Sequence, residues 1–146
     1  VKAITIRQPW ASLIALGQKH YETRSWKTNY RGQLAIHAGL TIEKGACLDP
    51  YIKSILDKSG LSQHNLPTGR ILAICRLNDC YKVTAESDEH ILAESDSHFL
   101  SIDPEEAFLG DLSKGRYAWE LEDMQALLKP IKAKGKQSLW DCSGMF

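Results

Sequence analysis

Ten consecutive residues, Gly17-Gln18-Lys19-His20-Tyr21-Glu22-Thr23-Arg24-Ser25-Trp26, gather two cations, a carboxylate and an indole. Side chains of these types can grip a phosphate through the cations and stack a base on the indole. Lys19 can hold a phosphate or donate to a substrate carbonyl, against the plainer role of a surface lysine. Glu22 can serve as a general base or accept from a base edge, or simply pair with Arg24 or Lys19. Arg24 can fork onto a phosphate or stack on a base, or pair with a distant acid. A second crowded stretch, Arg7-Gln8-Pro9-Trp10-Ala11, adds a cation, an amide and another indole. Gln8 is either a base-edge reader or a cap for the segment after it. Trp10 and Trp26 are either stacking platforms or core. Arg31 suits a phosphate contact from a loop, and His37 is either a pocket wall or a hydrogen-bonded core histidine. If the chain is an enzyme, Lys19 and Glu22 are its catalytic pair, with His37 as a third group.

Several elements must position these groups. Lys2 to Arg7 alternates apolar and polar residues and reads as a half-buried strand closed by Pro9. Trp10 to Leu16 has a helical pattern about two turns long, ended by Gly17. Lys19 to Trp26 reads as extended, with Lys19, Tyr21, Thr23 and Ser25 on one face and His20, Glu22, Arg24 and Trp26 on the other. Gln33 to Ala38 is a second strand, with Leu34 and Ile36 opposite Ala35 and His37. Residues 42–59 read as helical, divided at Gly45 and Pro50 and stopped by Gly60. Arg70 to Val83 is a long strand, 116–121 another, and 126–133 an edge or final strand because of Pro130. Residues 84–113 form an acidic insertion expected to be loop with short helical pieces. The chain reads as one domain over 1–146, free of internal repeats. With no glycine-rich turn and no regular strand–helix alternation, a small mixed barrel fits better than a parallel sheet.

Net charge is zero, which argues against strong non-specific duplex binding, but the charge is segregated. Residues 1–37 carry six Lys and Arg against Glu22 alone, and residues 79–123 carry thirteen acids against three cations. The four cysteines form no C-x-x-C pair and read as reduced thiols, with Cys75 and Cys80 on opposite strand faces. No cofactor and no metal is expected. The absence of a long apolar run or signal-like start makes a membrane partner unexpected and the cytoplasmic compartment the default.

The motif G-x-K-x-x-E-x-R at Gly17, Lys19, Glu22 and Arg24 resembles the signature of the ASCH domain family. Gln8 to Ser12, Arg31 to Ala38 and Thr68 to Ala73 resemble the activating-signal-cointegrator subgroup of that family. The resemblance covers residues 2–83, extends to Arg116 to Ile131, and is weakest over 84–113. It implies an α+β fold: a small mixed β-barrel of PUA-like type with a short helix after the first strand and helical insertions. It also implies a cleft beside that helix for RNA or single-stranded nucleic acid. One branch of the family deacylates a modified cytidine nucleoside, and ribonuclease activity is attributed to another. This chain departs from the deacylating branch, where a threonine stands at the position of Glu22. Thr23 is one residue away, and the acid that would complete such a site (Glu86, Glu94 or Glu120) is not identified. Three classes follow. The chain is an RNA or single-stranded nucleic-acid binder, or a hydrolase of RNA or of a nucleoside-like small molecule. The third class is a scaffold whose protein partner docks on the acidic insertion.

Overall fold

The computed structural model covers residues 1–146. Eight strands make one mixed sheet: β1 (Lys2–Gln8), β2 (Tyr21–Arg24), β3 (Gly32–Ile42), β4 (Arg70–Glu86), β5 (Ile91–Glu94), β6 (Phe99–Ile102), β7 (Tyr117–Lys132) and β8 (Leu139–Asp141). Three helices, α1 (Trp10–Ala15), α2 (Lys44–Leu48) and α3 (Pro50–Lys58), and a 3₁₀ turn at Pro104–Leu109 complete the chain. The path runs β2-β7-β4-β3-β1-β8, with β5 on β4 and β6 on β5. All neighbours are antiparallel except β1 and β3. This is the expected α+β, PUA-like architecture, but the sheet does not close. β2 reaches β1 through a side chain, with Arg24 Nη2 donating to the Thr5 carbonyl at 2.9 Å. No helix is long and apolar enough to cross a membrane.

Alternation sorts the side chains of β1 and β3 as expected. Ile4, Ile6, Leu34 and Ile36 enter the main core under α1, while Ala3 and Ala35 face a second cluster with Ile71 and Trp140. The six residues of α1 are too few to hold themselves helical. Burial of Leu13 and Ile14, both 0% exposed, secures them at roughly 1.5–3 kcal/mol each. Gly17 follows the helix at φ +77°, a conformation that costs glycine little. At the other helices, Asp49 caps α3 by accepting from Tyr51 and Ile52 N–H, and Pro50 starts it. Gly45, expected to divide the helical stretch, lies inside α2 instead.

Four expectations are corrected. The segments 116–121 and 126–133 are one strand, β7, bent where Asp123 takes φ +53°. Cys75 and Cys80 both enter the main core, because β4 gains a residue relative to β7 between Leu77 and Asp79 and its alternation resets. The acidic insertion contains two strands as well as its 3₁₀ turn. Residues 86–92 and 94–100 share the pattern Glu-Ser-Asp-x-His-x-Leu, a short internal repeat that corrects the reading of a chain free of repeats. Each copy makes the same turn: Ser87 Oγ accepts from Glu89 and His90 N–H, and Ser95 Oγ from Ser97 and His98 N–H. The insertion extends the sheet beyond the last β4–β7 pair, Lys82↔Tyr117, so the chain departs from and returns to the same point of the frame.

Candidate nucleic-acid interface

The unclosed seam between β1 and β2 holds a cleft of about 670 Å³, a size that suits a nucleotide-scale ligand. β1 contributes Thr5, Ile6 and Arg7, and the start of α1 contributes Trp10. The stretch from Lys19 to Trp26 makes the opposite wall, and the 3₁₀ turn with the two residues after it closes one end through Ala107, Phe108, Gly110 and Asp111. Arg116 completes the lining from the residue before β7.

Lys19 lies at the floor. It is 2% exposed, and its ammonium makes no hydrogen bond or ion pair within the chain. Burial lowers its pKa below the usual 10.5, against the opposing pull of Glu22 and Glu106. The extended reading placed Lys19 on the face away from Glu22. The regular strand begins only at Tyr21, so strand parity does not govern Lys19, and it joins Glu22 and Arg24 in the cleft.

Glu22 is fully engaged. Its Oε2 accepts from Arg24 Nε at 3.0 Å and Nη2 at 2.8 Å, and its Oε1 accepts from Thr23 N–H at 3.0 Å. That geometry holds the Arg24 guanidinium rigidly and leaves its Nη1 without an acceptor in the chain. Arg116 offers a further donor. Its Nη2 reaches the Thr23 carbonyl at 3.3 Å, while its buried Nε has no hydrogen-bond partner. Asp111 Oδ2 lies 3.5 Å from that Nε, an ionic contact without hydrogen-bond alignment. The cleft thus collects Lys19, Arg24, Arg116 and Arg7 around two carboxylates, with donor capacity to spare.

Aromatic surface flanks these cations. Trp26 is half-buried, standing edge-on to Trp119 at 4.9 Å and 85°. Trp10 is also half-buried and packs on two core clusters, and Phe108 is 62% exposed.

Three of the nine expected site residues lie outside the cleft. Gln8 is 0% exposed, and its Nε2 donates to Ser12 Oγ at 2.8 Å and to the Pro67 carbonyl at 2.7 Å while its Oε1 accepts from Ser12 N–H. It caps α1 instead of reading a ligand. Arg31 is held on another face by Asp79 at 3.1 Å and by the carbonyls of Thr28 and Tyr30. His37 is buried with Nε2 against the Ala133 carbonyl at 2.7 Å, so Nε2 carries the proton and Nδ1 accepts from Thr5 Oγ1 at 3.2 Å. It is a hydrogen-bonded core histidine, edge-on to Trp140.

Residue-level reading missed part of the site. Thr23 lines the cleft although its parity pointed away. Gly110 sits so close that a Cβ there would fall 2.3 Å from Lys19 Nζ and 3.4 Å from Thr23 Oγ1. Glu106, 8% exposed, accepts from His20 N–H at 3.3 Å and pairs with His20 Nδ1, which ties the 3₁₀ turn to the Lys19 segment. Glu106 and Gly110 stand more than eighty positions from the motif they complete, and no local pattern announces that approach.

Comparison with known proteins now bears on the cleft. A family model, the ASCH domain, matches residues 4–132. The chain is similar to human activating signal cointegrator 1, with 32% identity over 127 residues, covering 82% of this chain and 22% of that protein. The mouse protein of the same name matches with the same identity and coverage. The chain therefore spans about a fifth of the length of these curated relatives.

Proposed function

This chain belongs to the ASCH domain family, and from that membership we propose that its cleft binds a nucleotide of RNA or of single-stranded nucleic acid. The observation that carries the reading is Lys19, a side chain 2% exposed whose ammonium reaches the floor of the cleft with no hydrogen-bond acceptor in the chain. Burial of the stem makes that charge costly, and a base carbonyl or a phosphate oxygen would supply the acceptor it lacks. Arg7, Arg24 and Arg116 give the cleft the positive balance that a phosphate favours. Trp10, Trp26 and Phe108 supply faces for a base, each such stack contributing roughly 1–3 kcal/mol.

Titration of a fluorescent single-stranded RNA octamer against wild type and the Lys19→Ala/Arg24→Ala double variant at two salt concentrations tests the reading. Wild type should bind more weakly as salt rises, and the double variant should lose most of that binding. Absence of wild-type binding at low salt would sink the reading.

One observation favours a second, hydrolytic reading. Lys19 Nζ and Thr23 Oγ1 both approach the empty Cβ position of Gly110. A lysine driven toward its neutral form beside a hydroxyl is the pairing that activates an oxygen nucleophile. Glu22, with both oxygens engaged by Arg24 and the Thr23 N–H, is not positioned as a free base. In that case Thr23→Val would keep RNA binding and abolish turnover of acylated nucleosides, whereas a pure binder would show no turnover to lose.

A further inference from the structure

The cleft does not end at Arg24. A second depression, of about 310 Å³, begins across the wall made by Thr5, Arg7 and Arg24 and shares those three residues with the first. Its far side is built from Gly39, Leu40 and Thr41 of β3 and from Lys136, Gln137 and Ser138 between β7 and β8. No carboxylate lines it, and its charged groups are Arg7, Arg24 and Lys136.

Two local departures from regular structure create this trough. β1 pairs with β3 through Ile6↔Ala38 and resumes at Gln8↔Ile42, so residues 39–41 stand opposite Arg7 alone and the sheet opens there. The segment carrying Lys136 is pinned flat on the sheet by the His37–Ala133 hydrogen bond and by Gly135. A Cβ on Gly135 would fall 2.7 Å from Thr5 Oγ1 and 2.8 Å from His37 Cε1, so only a glycine permits that approach. His37, absent from the cleft, thereby holds the neighbouring wall.

The donors in the wall remain available. Glu22 and the Thr5 carbonyl occupy Arg24 Nε and Nη2, leaving the two protons of Nη1. Arg7, with a side chain 69% exposed, makes one ion pair, to Glu43 at 3.0 Å, and Lys136 makes none. Leu40, 81% exposed, gives the rim an apolar contact suited to a sugar or base.

The geometry points to a second subsite: the trough takes the backbone phosphate, and with it the adjacent residue, of a nucleic-acid strand whose first base lies in the cleft. The ligand is accordingly a single-stranded chain of at least two nucleotides, not a free nucleoside. This rests on the reading of the cleft as a nucleotide site. Arg24, held by Glu22 and the Thr5 carbonyl, favours a phosphate because its guanidinium is already oriented and costs little to order, and Arg7 and Lys136 add positive charge beside it.

The test uses the same RNA octamer over a series of salt concentrations, with Lys136→Ala, Lys134→Ala and wild type compared. Lys136 is exposed and unpaired, and Lys134 is an exposed cation two positions away that does not line the trough. Lys136→Ala should bind several-fold more weakly with an unchanged thermal midpoint. Its slope of log affinity against log salt should be shallower by about 0.7, the contribution of one phosphate contact on a single strand. Lys134→Ala should match wild type. Equal effects of the two lysines, or an unchanged slope for Lys136→Ala beside intact wild-type binding, would overturn the trough and leave the cleft standing. A wild type that binds nothing would overturn both.

Discussion

Replacing Lys19 by methionine should make the protein more stable and less functional. Methionine keeps the unbranched stem and its packing while removing the ammonium. The carboxylates near Lys19 are not stranded by this change. Arg24 and the Thr23 N–H still hold Glu22, and His20 still holds Glu106. What disappears is the cost of desolvating a charge on a side chain 2% exposed, about 1–3 kcal/mol at pH 7. For a chain of this size that is a rise in thermal midpoint of roughly 2–10 °C. The pH dependence follows from the direction of the shift. Burial lowers the folded-state pKa of Lys19 beneath 10.5, so between the two values the unfolded chain binds more protons than the folded one. Wild-type stability therefore carries a rising contribution with pH across that window, and the penalty fades near the unfolded value. Urea unfolding of both proteins at pH 7, 8, 9 and 10 measures it: the variant's advantage should shrink steadily toward pH 10. A variant less stable than wild type at pH 7, or an advantage indifferent to pH, would refute the claim that burial outweighs Glu22 and Glu106 at this amine.

Gly110→Ala attacks the same group from outside. Its backbone is extended, so alanine strains nothing there, but the new methyl would lie 2.3 Å from Lys19 Nζ. Displacing the ammonium should weaken RNA binding by roughly ten- to a hundredfold, as loss of a charge-assisted hydrogen bond does, and fluorescence titration checks it. Away from the cleft, Asp79→Ala should cost about 1–3 kcal/mol at pH 7. Burial works against ionisation of this carboxyl, yet hydrogen bonds from Ser95, the Cys80 N–H and His98, with the charge of Arg31, hold its pKa below the ordinary 3.8. Its contribution is full above that unfolded value and is lost as pH falls through the lower folded one. Urea unfolding at pH 7 and pH 3 should therefore show the deficit narrowing in acid.

Much of the frame was legible because its signals are local. Alternation marked β1 and β3, Gly17 and Gly60 marked helix ends, and the G-x-K-x-x-E-x-R motif marked one wall of the cleft. Parity arguments failed where the chain is irregular. Lys19 precedes its strand by two residues, and Cys80 lies past an inserted residue in β4. β5 and β6 were hidden by composition: only four residues each, with Ile91 and Ala93 buried between exposed Leu92 and Glu94 in an acidic stretch. The opposing wall was invisible for a different reason. Glu106, Phe108 and Gly110 reach the motif only through tertiary packing, and a glycine chosen for what its Cβ would strike leaves no periodic trace. Gln8, Arg31 and His37 carry chemistry-bearing types but spend their polar atoms on partners within the fold, Gln8 on Ser12 and Pro67, Arg31 on Asp79 and nearby carbonyls, His37 on Ala133 and Thr5, a distinction that composition does not encode.

The placement of the acidic insertion has a consequence for how this protein can change. The strands on either side of it, β4 and β7, pair directly through Lys82↔Tyr117, so the scaffold is joined beneath the insertion and does not depend on its length. Yet the 3₁₀ turn inside it forms one end of the cleft. Selection, or a designer, can therefore lengthen, shorten or exchange that one stretch to recast what the cleft accepts while Lys19, Glu22 and Arg24 stay fixed on the frame. Ligand preference can therefore drift on the exposed positions of that stretch, as long as Ile91, Ala93, Ile102, Leu109 and Leu112, which it lends to the core, are kept.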